Sequence, residues 1–390
     1  MNNRTPSPRN FWLILLANIV LGAPMPMLIL LGGLAGAHLS PTPFAATVPP
    51  TVQMLAGILV ATPISLFMGR YGRKIGFLVS SGMMIAGGLV GCLSLWWQSF
   101  MLLNAAHFLL GAALIGINYF RFAAAESVPE SKQPRAIGFT LASGIIAAII
   151  GPSIYSATSH AVSGYAYVGA YLSISVIGFI GAIVVAFFAH IPTRKKANTA
   201  STKSKSALFS NPDVVFAISS AAITQGMMML LMTPTALAMV GHGFSEHNAS
   251  DVIRWHVIAM FAPGLFTGQL IERFGAHRII LTGMIILVAS TAVAAVDHGL
   301  LEFYVSLILL GIGWNFGFIG GTSLLQSALS EDERPLVQGT NDTILAIAST
   351  VASLFSGVLF AGIGWTWLAI ISTGVMIGFL VLSSSRTIRA

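Results

Sequence analysis

The sequence predicts an all-α membrane protein of twelve transmembrane helices, built as two pseudo-symmetric six-helix bundles. Three observations predict it. Hydrophobic residues make up 55% of the 390 and charged residues only 8%, against about 25% charged in ordinary soluble proteins. With a mean hydropathy of +0.85, a soluble chain would expose apolar patches large enough to aggregate, so lipid is the natural solvent. The apolar residues also fall into runs of about 20, the length that crosses a hydrocarbon core ~30 Å thick. Finally, short motifs of the first half return in the second half at nearly constant spacing.

The spans follow in order. The first, 11–33, comes after Arg4 and Arg9 and is interrupted by Pro24 and Pro26. Its apolar stretch, Phe11 to Leu31, is too long for a usual signal core, so it reads as a retained helix. The second, 44–68, contains Pro49, Pro50 and Pro63, which lipid-buried helices tolerate better than soluble ones. The third, 76–96, starts behind Arg73 and Lys74, and the fourth, 100–125, carries Asn118 and Arg121 near its end, with Glu126 just beyond it. The fifth and sixth are 136–158 and 167–189. The second half repeats the series at 213–236, 254–271, 279–297, 302–325, 336–358 and 365–383. Between the halves, residues 193–206 (TRKKANTASTKSKS) lack apolar side chains except Ala and read as a flexible linker. The domains are therefore 1–192, a basic linker 193–206, and 207–390.

Orientation follows from the loop cations. With the N-terminus inside, 17 of the 19 Lys and Arg residues lie on the cytoplasmic side. Arg121 falls inside its own span, and Arg254 alone lies outside. The net charge of +7 is thus a topology signal rather than a nucleic-acid site. It puts both termini on the cytoplasmic side, and the expected location is a bacterial cytoplasmic membrane. The single Cys92 excludes an intramolecular disulfide and a Cys-rich metal site. No HExxH, Walker A or GxSxG pattern is present, and the loops are too short for a catalytic domain. The reading is a non-enzyme without cofactor or metal, monomeric, whose partners are lipid and a small-molecule substrate.

Several spans carry polar residues on one side. On a helix of 100–125, Asn104, His107, Gly111, Leu114, Asn118 and Arg121 fall within about 100° of arc. A charge near the bilayer centre costs ~2.5–3.5 kcal/mol on insertion scales, so a shared face suggests water or a partner along its length. The alternative for Arg121 is to snorkel to the interface with Glu126 as partner. The alternative for His107 and Asn118 is an interhelical hydrogen bond. In the tenth span Asn315, Ile319, Thr322 and Gln326 lie on one side, and in the eleventh Asp342, Ser349, Ser353 and Ser356 do. Desolvation favours a neutral carboxyl, which makes Asp342 a candidate proton carrier. Asn18 in the first span and Gln225 in the seventh, next to Met227, Met228 and Met229, extend the set. Tyr119, Tyr155 and Trp314 are candidates to stack on a ring.

The repeat is explicit. Gly69-Arg70-Tyr71-Gly72-Arg73-Lys74 follows the second span, and Glu272-Arg273-Phe274-Gly275-Ala276-His277-Arg278 follows the eighth. Gly72 and Gly275 are 203 residues apart, Gly111 and Gly311 are 200 apart, and Gly138 and Gly339 are 201 apart. This pattern resembles the major facilitator superfamily over nearly the whole chain. That family carries a G-x-L-a-D-R-x-G-R-K signature between its second and third helices. Gly268-Gln269-Leu270-Ile271-Glu272-Arg273-Phe274-Gly275 is the closer copy, while the first copy has Gly69 in place of the acid and Ser65 in place of the first Gly.

The resemblance implies rocking of two halves about a central cavity lined by helices one, four, seven and ten. It also implies a cytoplasmic gate made from Arg70, Arg73, Glu126, Glu130, Glu272, Arg273, Arg278 and Glu331. Within it Arg73 would pair with Glu126 or Glu130, and Arg273 or Arg278 with Glu331. Ser143, Ala147 and Gly151-Pro152 resemble the family's exporter signature in helix five, but Ile154 and Tyr155 replace its last glycines. Where many exporters have an Arg in helix four, His107 stands here, a second candidate for proton coupling.

The expected function is secondary transport of a small organic solute, with anionic and aromatic chemistries both open, coupled to protons. Arg121 is then the anchor for an anionic group. A proton-driven efflux antiporter is the alternative within the class; a receptor or channel is the alternative outside it. The full set of substrate-binding candidates is Asn18, Asn104, His107, Asn118, Tyr119, Arg121, Tyr155, Gln225, Trp314, Asn315 and Gln326.

Overall fold

Proline and glycine decide where these apolar runs bend. The computed structural model describes residues 8–129, 132–189, 211–296, 299–330 and 334–387. The chain divides into two compact units, Met1–Lys196 and Ala197–Ala390. The expected linker, 193–206, lies outside the described residues.

In the first unit, α1 (Pro8–Gly22) and α2 (Pro24–Leu39) form the first span, broken at Ala23 because Pro24 and Pro26 supply no N–H. The second and third spans are α3 (Val48–Tyr71) and α4 (Arg73–Trp96). They are separated by Gly72 alone, whose φ of 93° is the left-handed region that a Cβ disfavours. The fourth span differs from its expected single helix: α5 (Phe100–Ile117) stops, Asn118 and Tyr119 turn, and α6 (Phe120–Glu126) follows. The fifth and sixth spans are α7 (Gln133–Thr158) and α8 (Val168–Ala186).

In the second unit, α9 (Pro212–Gly241) runs through Pro234. The eighth span is not the helix 254–271 expected from hydropathy. It is α10 (Glu246–Phe261), a break at Ala262-Pro263, and α11 (Gly264–Phe274). Its start lies eight residues earlier because Ser245 and Asn248 form a capping box there. After Gly275, again left-handed at φ 85°, comes α12 (Ala276–Val296), then α13 (Leu300–Ser327). The last two spans run together as α14 (Arg334–Thr387), kinked at Gly364.

Among the described residues ten helices are long and apolar enough to cross a membrane. The broken eighth span and the merged last pair account for the difference from twelve. Packing repeats between units. In the first, α4 packs on α5 and α8, and α3 on α5; in the second, α12 packs on α13 and α14, and α10 on α13. The architecture is that of an all-α membrane protein.

Candidate functional site

Of the residues expected at a cytoplasmic gate, Arg73 and Glu126 are brought together. Gly72 turns the chain so that Arg73 begins α4, and its guanidinium meets Glu126 at the end of α6. Nε donates to Oε2 at 3.1 Å and Nη2 to Oε1 at 2.8 Å. The side chains are only 13% and 21% exposed, a fork geometry with partial desolvation. The Tyr119 ring lies 5.6 Å from the same guanidinium. Lys74 donates to the Ala186 and Phe188 carbonyls, where α8 ends and its dipole favours a cation.

In the second unit the same corner is built differently. His277 takes the place of Lys74 and reaches Asp213 at 3.1 Å, with its ring stacked on Phe216 at 5.3 Å. Arg273 lies over the Phe274 ring and Arg70 over Tyr71, at 5.2 and 5.4 Å. Arg70, Glu272, Arg273 and Arg278 are exposed, and the expected partners Glu130 and Glu331 lie outside the described residues.

The fourth-span candidates do not share one environment. His107 is fully buried, with Nδ1 donating to Gln53 Oε1 at 3.1 Å and Nε2 accepting from the Tyr171 hydroxyl at 2.8 Å. Its neighbours thus come from the second and sixth spans. Asn104 donates to Phe100 O in its own helix, and its Oδ1 is buried without a partner among the described residues. Asn118 and Arg121 are exposed beyond the turn. Arg121 sits 4.8 Å over the Phe122 ring, and among the described residues no carboxylate pairs with it. Tyr119 donates to Ala61 O at 3.4 Å.

The small-residue stripe of the fifth span packs as its spacing suggests. Asn18 Nδ2 donates to Ser143 Oγ at 2.7 Å and to Thr140 O at 3.0 Å. A Cβ on Gly22 would meet that of Ala147 at 3.5 Å, and one on Gly151 would lie 2.3 Å from the Ala23 carbonyl oxygen at the break in the first span. Asn18 is therefore committed to an interhelical bond. Tyr155 is fully buried.

In the second unit Asn315 is buried and serves the break in the eighth span. Its Nδ2 donates to Met260 O and its Oδ1 accepts from Thr267 Oγ1, both at 2.7 Å. One residue before it, Trp314 is half-buried. Its Nε1 donates to Gln225 Oε1 at 2.7 Å, its ring stacks on Phe318 at 4.9 Å with planes 14° apart, and Phe261 meets it edge-on at 6.4 Å. Gln326 is exposed. Asp342 is also exposed rather than buried within the protein, and its Oδ1 accepts from Asn341 Nδ2 at 3.3 Å. Ser349 and Ser356 bond back to their own helix at Leu345 and Ser353.

Three groups escaped the sequence reading. Gln53 gave no signal beyond being a lone amide in an apolar run. His256 is fully buried, with Nδ1 donating to Leu307 O at 2.7 Å. Asp251 binds both Arg254 and, at 2.5 Å, the Tyr304 hydroxyl. The outside location of Arg254 was the one available hint.

The helix pairing, repeated corner glycines and broken spans agree with the sequence comparison. The family model of the Major Facilitator Superfamily matches residues 11–253 and 234–385. The chain belongs to the major facilitator superfamily. This transporter is 32% identical over 368 residues to the riboflavin transporter RfnT of Brucella anthropi, covering 94% of this chain and 92% of that one. It is 26% identical over 381 residues to the MFS-type transporter YdeG of Bacillus subtilis, covering 93% and 88%. Among solved structures, the nucleoside transporter NupG superposes with a TM-score of 0.71 at 13% identity, covering 96% of this chain and 98% of that one. A bacterial homologue of the lysosomal transporter Spinster, inward-facing and occupied, gives 0.71 at 14%, covering 96% and 94%. At those identities the structural matches speak for the fold alone.

Proposed function

We propose that this transporter carries a planar heteroaromatic solute of the flavin class across the bacterial cytoplasmic membrane by alternating access, with riboflavin as the first candidate. The observation that carries the reading is the group Gln225, Trp314, Phe318 and Phe261. A stacked indole–phenyl pair offers a flat face to a ring system, and a carboxamide beside it offers hydrogen bonds to a ring edge. Trp314 and Gln225 are half-buried, so each keeps part of its surface open. The named substrate of the Brucella relative has this chemistry.

Counterflow of labelled riboflavin in proteoliposomes, without ATP, tests the reading. Exchange is expected in the wild type, and Trp314→Ala should reduce it at least tenfold. Absence of exchange, or a Trp314→Ala rate equal to wild type, overturns it.

Coupling to protons is assigned to Asp342. His107 has both ring nitrogens engaged inside the first unit; Asp342 is an acid on the exposed side of the eleventh span, where its Oδ1 accepts from the neighbouring Asn341 at 3.3 Å. In Asp342→Asn, a pH gradient should no longer drive accumulation while counterflow persists. Accumulation at the wild-type level would remove Asp342 from the coupling step. The Lys and Arg distribution supports cytoplasmic termini.

A further inference from the structure

At the end of the first unit opposite the Gly72 corner, the chain encloses a partly open cavity of about 340 Å³. Its walls come from the end of α2, the turn between α4 and α5, and the loop between α7 and α8. Helix alternation with a cytoplasmic N-terminus puts this end outside. The volume is at the lower end of the ~300–1,000 Å³ typical of small-ligand pockets.

The lining is aromatic and polar but carries no Asp, Glu, Lys or Arg: His38, Gln98, His160, Ser163 and Tyr165 supply its rings and hydrogen-bonding groups. The Tyr167 ring stands behind the two imidazoles, 6.2 Å from His38 and 5.9 Å from His160. Tyr165 is held flat against Trp96, with ring centroids 4.8 Å apart and planes 3° apart. An exposed Trp at a membrane boundary normally serves as an interfacial anchor. Here its face is covered by a ring that lines the cavity.

The backbone adds an independent observation. Gln98 and Tyr167 are the two described residues other than glycine with positive φ, at 52° and 65°. One lines this cavity and the other backs it, although they lie on different loops. Gln98 is held by Nε2 donation to Leu95 O at 2.7 Å, and Tyr167 by N–H donation to Ser159 O at 2.6 Å. A left-handed conformation is unfavourable for a residue with a Cβ and persists only where its surroundings enforce it. Two such residues converging on one cavity mark a shape that the fold maintains.

We infer that this outer cavity is a binding site for a neutral planar heteroaromatic molecule, built wholly within the first unit. The lining has no carboxylate, ammonium or guanidinium group to pair with an ion, and the rings and amide match a flat solute with polar edges. The inference stands apart from the transport reading, whose carrying residues belong to the second unit.

Equilibrium dialysis of the purified full chain with riboflavin, and with its bare ring system lumichrome, tests it. Two sites per chain are expected in the wild type. Ser163→Trp places a bulky ring at an exposed lining position and should abolish one site. Gln98→Gly relieves the left-handed backbone and removes the carboxamide. It should melt no lower than wild type yet weaken that same site at least tenfold, which a purely structural role would not do. A single site untouched by both variants, or no binding of either probe to Trp314→Ala, overturns the inference. A site that survives Trp314→Ala and is lost in Ser163→Trp upholds it and, if it is the only one, overturns the reading built on Trp314.

Discussion

The seam between the second and fourth spans and its counterpart between the eighth and tenth use one geometry and two chemistries. In each, a glycine of the later span presses on a carbonyl of the earlier one. A Cβ on Gly111 would lie 2.3 Å from Gln53 O, and one on Gly311 would lie 2.6 Å from His256 O. Gln53 and His256 are 203 residues apart, the spacing of the corner glycines. In the first unit the imidazole sits on the fourth span and is satisfied at both nitrogens by Gln53 and Tyr171. In the second it has moved to the eighth span, where Nδ1 donates to Leu307 O and Nε2 has no partner among the described residues. The Asp251, Arg254 and Tyr304 group then supplies the charge that the first seam lacks. The duplicated unit keeps its backbone approach, while the polar side chains around it have diverged.

The largest expected effect breaks the shared part of that comparison. Gly111→Ala would force its Cβ against backbone rather than a movable side-chain tip, and overpacking of this kind costs about 1–3 kcal/mol. Gly311→Ala should cost less, because the clash is shallower by a few tenths of an ångström. Thermal unfolding in detergent should show both variants destabilised, with Gly111→Ala the worse. Wild-type melting in both would mean that the close approach is not needed.

The corner latches sharpen the comparison. Arg73 and Glu126 are mostly shielded and joined by a charge-assisted fork; a hydrogen bond to a charged group is worth about 1.5–3 kcal/mol, and partial exposure keeps the whole pair within that range. Arg73→Ala should therefore destabilise the first unit by about 2 kcal/mol, and Arg73→Lys, which cannot form the fork, should recover less than half. A fully restored melting temperature in Arg73→Lys would show that charge alone suffices.

What could be read from sequence follows from what each feature depends on. Gly72 and Gly275 were legible because a turn of one residue between two helices demands a specific backbone. The latch of Arg73 was legible only in part: the family resemblance offered Glu126 or Glu130 as its partner, and the structure joins it to Glu126. The stripe Ser143, Ala147, Gly151 was legible because helical spacing puts small residues on one face, and its partner helix came only with the structure. The surroundings of His107 were not legible: periodicity gives the direction in which a side chain points, but Gln53 and Tyr171 lie 54 and 64 residues away. The break in the eighth span was hidden by its polar first turns, which drew the hydropathy window toward the centre, and by Asn315, a tenth-span residue that serves the broken helix. The burial expected of Asp342 was not legible, because a position inside a span does not by itself bury a side chain.

The smallest expected effect comes from the second latch. His277 and Asp213 occupy the corner that Lys74 and the end of α8 occupy in the first unit, but their side chains are 37% and 52% exposed. Water screens such a pair, and exposed ion pairs contribute about 0.2–1 kcal/mol. Asp213 also lies in the first turn of α9, where a negative charge interacts favourably with the helix dipole. Asp213→Asn removes both contributions but leaves the stacking of His277 on Phe216, so its cost should stay below about 1 kcal/mol. Combining it with Arg73→Ala should give an additive loss, since the two corners belong to different units and share no partner. A strongly non-additive loss would mean that the two corners act as one device, and the contrast between a strong and a weak latch would then describe a single coupled gate.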